Sequence, residues 1–175
     1  MLSFLKARRA AKSHTQALYD RIVEAARQPK FYTVGGVPDT AEGRFELISL
    51  HLILVISKLN AEGEAGRAAG QALFEVFFKD MDFAMREMGI GDTKIGKKIR
   101  AMAEVFYGRF KSYASASDST DEALLAESIA RNVLEDGDHP QAKRFADYFR
   151  NSSNDLKAIA LIDPDASDKL KFAEF

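Results

Sequence analysis

The sequence predicts an all-α protein built as a single compact bundle of six to seven helices. Three observations lead there. Apolar residues recur at helical spacing through almost the whole chain, and no stretch alternates as a half-buried strand does. Helix-opening and helix-closing residues punctuate that pattern at intervals of a few turns. The composition is 46% hydrophobic with thirteen Phe in 175 residues, enough apolar surface to close a core without staples.

The elements follow in order. Residues 1–14 form a basic amino-terminal segment, with Lys6, Arg8, Arg9 and Lys12 and no acid, ahead of a helical domain over 15–175. The apolar part of its start is too short for a secretory signal, which leaves a membrane-surface foot, a targeting remnant or a frayed first turn. A first helix is expected over 15–28, with Leu18, Ile22 and Ala26 inward and Pro29 ending it. A loop from Phe31 to Pro38 follows, given freedom by Gly35 and Gly36 and stiffened by Pro38. Asp39 with Glu42 three residues on has the spacing of a capping box, opening a second helix to about Leu59. That helix is apolar all round, with Ile48, Leu52, Val55 and Leu59 on one stripe and Leu47, Leu50 and Leu54 on another, so it belongs at the centre of the domain. Arg44, His51 and Lys58 are spaced by seven and make one narrow polar seam along it. Snorkelling charges at the two ends, with His51 hydrogen-bonded inside the core, is the simplest reading of that seam.

A third helix over about 65–88 is expected to bury Phe74, Phe77, Phe78, Met81, Met85 and Met88, with Glu75, Lys79, Asp82 and Arg86 as a solvated stripe. Gly89 ends it. Asp92 caps a fourth helix with Ile95, Ile99, Met102, Phe106 and Phe110 inward. Ser119 and Glu122 suggest a second capping box before a helix to about Glu135. Pro140 opens another, containing Phe145, Tyr148 and Phe149, and Asp163-Pro164 starts a last short one.

Chemistry is conspicuous by its scarcity. There is no Cys, which excludes disulfides, thiolate metal sites and Cys nucleophiles. A net charge of −1 gives no global field for nucleic acid, and no apolar run is long enough to span a membrane. The charge is uneven, however: residues 93–111 carry Lys94, Lys97, Lys98, Arg100, Arg109 and Lys111 against Glu104 alone. The run from Gly91 to Lys98 nearly spells a phosphate-binding P-loop, but Lys98 stands where the metal-binding hydroxyl is needed and a helix precedes it. Three His, none in a His-Glu-x-x-His or Glu-x-x-His pattern, suit no metal centre. No catalytic residue, metal or cofactor is expected, and the chain reads as a non-enzyme.

The stretches Val37-Pro38-Asp39-Thr40, Gly43-Arg44-Phe45-Glu46, Leu50-His51, Arg86-Glu87-Met88-Gly89, Gly91-Asp92, Gly96-Lys97 and Tyr107-Gly108-Arg109 together resemble the ubiquinol–cytochrome c chaperone family. The resemblance covers about 19–113 and, more weakly, the helices beyond. It implies an assembly factor for the cytochrome bc1 complex that binds newly made cytochrome b. The ribosome and a small partner subunit are the other contacts of mitochondrial members. Without the long amino-terminal extension of those members, the chain looks like a bacterial one, cytoplasmic or peripheral at the inner face of the inner membrane. The partner-binding residues it points to are Phe31, Tyr32, Asp39, Arg44, Glu46, Asp80, Asp82, Arg86, Asp92, Lys97, Lys98, Tyr107 and Arg109. They would form an aromatic floor beside the Phe31–Arg44 loop with charged rims. The alternatives are a haem or quinone carrier using His51, and a membrane-surface scaffold.

Overall fold

A computed structural model describes residues 2–117 and 119–175, with side chains from Arg9 onward. Among the described residues, six helices of eleven residues or more and two single turns make up the regular structure: α1 (Leu2–Ala26), α2 (Lys30–Thr33), α3 (Ala41–Ala61), α4 (Gly63–Glu87), α5 (Asp92–Ser117), α6 (Ala123–Val133), α7 (Ala142–Leu156) and α8 (Ala166–Lys169). No strand occurs among the described residues.

α3 is the axle. Every residue from Leu47 to Ile56 is buried, and α1, α4, α5, α6 and α7 all pack on it. Its polar seam resolves as expected. Arg44 sits in solvent on Asp39 (2.8 Å), and Lys58 reaches Glu62 (3.0 Å). His51 is wholly enclosed. Its Nδ1 lies 2.7 Å from the Leu47 carbonyl, which can only accept, so Nδ1 carries the proton and Nε2 accepts from the Tyr148 hydroxyl at 2.6 Å. Burial pushes the imidazole pKa down to about 4, so it is neutral at pH 7.

Several boundaries differ from expectation. α1 starts at Leu2, not near residue 15, because Ala7, Ala10, Ala11 and long basic side chains are good helix formers needing no tertiary partner. The side chains of Lys6 and Arg8, on which the basic segment partly rests, lie outside the described residues. The expected loop after Pro29 opens instead as the single turn α2, which drives Phe31 into the core. Gly35 is required next to it: a Cβ there would sit 2.4 Å from the Phe31 carbonyl oxygen and 3.0 Å from the rings of Phe145 and Phe175. The cap of α3 is Thr40, whose hydroxyl accepts from the Gly43 amide (3.0 Å), so the Asp39–Glu42 box does not form; Asp39 is engaged by Arg44 instead. Nor does the Ser119–Glu122 box. Ser119 Oγ accepts from the Asp121 amide and Asp121 Oδ1 from the Ala123 amide, a chain of local turns leading into α6. Asp92 is the first residue of α5 rather than its cap, and its carboxylate turns to Arg86.

Two devices fasten the rest. The Glu62 carboxylate, besides pairing with Lys58, accepts from the amides of Leu161 (2.8 Å) and Ile162 (3.0 Å), tying the α3–α4 turn to the segment before α8. Residues 170–175 then run as a strap. Phe172 packs edge-on against His51 (4.8 Å between centroids), and Phe175 sits between Phe31 (4.8 Å) and Phe145 (4.5 Å). Phe31, Tyr148 and Phe172 thus form a cage of aromatic rings around His51, with Phe145 and Phe175 packed behind it.

Candidate partner-binding surface

The register of three helices determines where the core ends. α3 and α4 form an antiparallel hairpin in which Gly70 packs on Ile56 and Phe77 stacks on Phe45 (5.6 Å between centroids, 18° between planes). Continuing that pairing, Ala41 lies opposite residues 81–84, and there α3 stops. α5 is locked to α3 by Arg109, which donates from Nε (3.2 Å) and Nη2 (3.0 Å) to the two oxygens of Glu46. In that register the segment 92–103 of α5 also lies past the start of α3, an overhang of about 18 Å at 1.5 Å per residue. The tip of the α4–α5 hairpin therefore projects beyond the axle. Ile95 is buried there, yet it does not join the main core.

On α4, the face that carries Phe77 to Phe45 continues as Met81, Ala84 and Met88, at +4, +7 and +11. On α5, the face that carries Arg109 to Glu46 continues as Val105, Met102 and Lys98, at −4, −7 and −11. None of these six is buried: Met81 and Met102 are half-buried against the main core, Val105 is 37% exposed, and Met88, beyond the start of α3, is 68% exposed. The expected burial of Met88 fails for this reason, and Met81 and Met85 are only half-buried. The result is an apolar platform, mostly of thioethers, which adapt readily to the shape of what lies against them. Phe83 (59% exposed) and Tyr107 (56%) flank it on the outer surfaces of the hairpin, with Tyr107 resting on Phe74.

The residues singled out from sequence divide accordingly. Asp82, Arg86, Asp92, Lys97, Lys98 and Tyr107 lie on the overhanging hairpin. Arg86 binds Asp82 (2.6 Å) and also Asp92, clasping the turn from α4 into α5. Asp80 is on the same helix, but its carboxylate accepts from the Tyr19 hydroxyl (2.8 Å) and pins α1. Tyr32, Asp39 and Arg44 lie together around the start of α3, where burial raises the Tyr32 pKa and Arg44 partly opposes it. Phe31 is 1% exposed and packs inside the aromatic cage, so it can offer nothing to a partner. Glu46 and Arg109 spend their hydrogen bonds on each other. Burial holds the Glu46 carboxyl above its ordinary range despite the guanidinium. Met81, Met88, Met102 and Val105 were absent from the sequence-derived set. The signal that could have found them is the mismatch between a 21-residue α3 and its 25- and 26-residue neighbours.

Among the described residues, no cluster of His, Asp or Glu could hold a metal, and no helix is long and apolar enough to cross a membrane. Comparison with known proteins adds the family. The sequence pattern described as "Ubiquinol-cytochrome C chaperone" matches residues 33–163. The chain is 26% identical over 117 residues to ubiquinol-cytochrome-c reductase complex assembly factor 1 of Xenopus laevis, covering 67% of this chain and 58% of that protein. It is 24% identical over 161 residues to the Drosophila melanogaster protein of the same name, covering 88% and 61% respectively. The chain thus spans roughly three-fifths of these relatives. The crystal structure of the Cbp3 homolog from Brucella abortus superposes with a TM-score of 0.84 at 34% identity, over 99% of this chain and 97% of that one. The family match over most of the chain, together with this fold, places the protein in the ubiquinol–cytochrome c chaperone family.

Proposed function

We propose that this protein is an assembly factor for the ubiquinol–cytochrome c reductase (bc1) complex, holding newly made cytochrome b through a non-catalytic surface. The observation that carries the reading is the overhanging α4–α5 platform, an apolar face beyond the reach of the central helix in a member of a chaperone family. A chaperone needs such a face and no reacting group. An apolar segment laid on Met81, Ala84, Met88, Met102 and Val105 would be shielded from water at about 25 cal/mol per Å² covered. The basic start of α1, where Arg9 and Lys12 are exposed, would bring the protein to the inner face of the membrane in which cytochrome b resides. The carrier alternative is not favoured, because both nitrogens of His51 are engaged and aromatic rings surround it.

The test is affinity purification from cells with an intact bc1 complex. Cytochrome b should be recovered with the wild-type protein and lost with Met88→Lys, whose exposed site leaves the fold intact. Deletion of the gene should lower assembled bc1 complex while sparing other respiratory complexes. Normal bc1 levels in the deletion strain would remove this function. Undiminished cytochrome b recovery with Met88→Lys would move the surface elsewhere.

A further inference from the structure

The platform has two unlike edges, and their chemistry specifies what can lie on it. Along α5, Lys98 lies one turn from Met102, and Lys94 lies one turn further toward the tip. Both are exposed, as are the neighbouring Lys97 and Arg100, and none of the four forms an ion pair among the described residues. The basic charge near the turn from α4 is handled differently, since Arg86 is taken up by Asp82 and Asp92. The α5 edge is thus a ridge of uncompensated ammonium groups beside an apolar lane. That lane continues the path of α3 along α4 and α5.

We propose that the platform takes an apolar α-helix of the client bearing carboxylates along one side, seated in the lane that α3 vacates with those carboxylates toward Lys94 and Lys98. This rests on the platform reading above and adds the identity of the segment. Cytoplasmic flanks of membrane helices are generally rich in Lys and Arg, so the ridge repels most such segments and selects the uncommon acidic one. An anionic bilayer fits less well. Asp80, Asp82, Glu87, Asp92 and Glu104 surround the same tip, and a flat anionic surface would meet them together with the lysines. A helix lying in the lane can turn its acidic edge to Lys94 and Lys98 on α5 and an uncharged side to α4.

The test uses the full chain and three fluorescein-labelled helical peptides of eighteen residues. They share one Leu/Phe/Ala face, and the adjoining edge carries Glu, Gln or Lys. Fluorescence anisotropy should give the Glu peptide roughly tenfold tighter binding than the Gln peptide, two exposed ion pairs being at stake, and the Lys peptide weaker binding still. Lys94→Glu/Lys98→Glu should invert that order, with circular dichroism confirming an unchanged fold. Met88→Lys should weaken all three. Equal binding of the three peptides to the wild-type protein overturns the charge assignment and leaves the platform standing. Binding of none overturns the platform itself. Flotation with phosphatidylglycerol vesicles that depends on Lys94 and Lys98, alongside peptides that bind without discrimination, assigns the ridge to lipid and overturns the proposal.

Discussion

His51 should make stability depend on pH in a way that one substitution isolates. The imidazole is enclosed, donates to the Leu47 carbonyl and accepts from Tyr148, and has its pKa pushed down to about 4 by burial. In the unfolded chain the value returns to about 6.5. Between those two values the unfolded state binds a proton that the folded state refuses. The contribution is therefore complete above about pH 6.5 and is lost as pH falls toward 4, at about 1.4 kcal/mol per pH unit. From pH 7 to pH 5 this amounts to about 2 kcal/mol. Other ionisable groups contribute to the pH dependence as well, so the wild-type profile alone is not diagnostic. In His51→Gln the side-chain oxygen can still accept from Tyr148 but cannot titrate, while every other group is retained. Urea unfolding followed by circular dichroism at pH 7, 6 and 5 should show the wild-type advantage over His51→Gln shrinking by about 2 kcal/mol across that range. A gap that stays constant with pH would mean that His51 takes up its second proton as readily in the folded protein as in the unfolded one, and the enclosed neutral imidazole would be wrong.

Three other outcomes are expected. Thr40→Ala should cost about 1 kcal/mol as the loss of an N-cap, whereas Asp39→Ala should cost well under that because its ion pair is exposed; paired denaturation midpoints separate the two. Glu135 holds a left-handed backbone (φ 56°) just past α6, so Glu135→Gly should raise stability by about 0.5–1 kcal/mol in the same assay. Removing residues 1–12 should reduce flotation with anionic liposomes in a salt-sensitive manner and leave the helical spectrum otherwise native; identical flotation would dispose of the membrane foot.

The helical class, the central position of α3 and the fate of its polar seam were legible from periodicity, because an all-round apolar helix has only one place to go. Capping was legible only to within a residue. Asp39 and Thr40 both suit an N-cap, and the choice between them turned on Arg44, which claims the aspartate. Phe31 looked like a contact residue because a glycine-rich loop appeared to follow Pro29. No local signal shows that a single helical turn will point that ring at Phe145 and Phe175, more than a hundred residues away. The platform was obscured for a related reason. The spacing that puts Phe77 in the core runs on unchanged through Met88, and periodicity cannot report that the covering helix ends first. Lys97, Lys98, Asp82 and Arg86 were singled out by the uneven charge and the family motifs, without the lane that lies between them.

The aromatic cage around His51 also governs the order in which the chain can fold. α3 and α4 meet across a one-residue turn, so their hairpin can form early and quickly from local contacts. The walls that enclose the far side of α3 arrive much later in the sequence, from α7 and then from Phe172 and Phe175, and His14 must find Leu161 across 147 residues. Such non-local contacts carry the largest loop-closure cost and come last in refolding. Until the strap closes, the most apolar helix of this protein stays open on one side. Such an intermediate exposes apolar surface and is prone to aggregate, so this member of a chaperone family must first get through a vulnerable interval of its own.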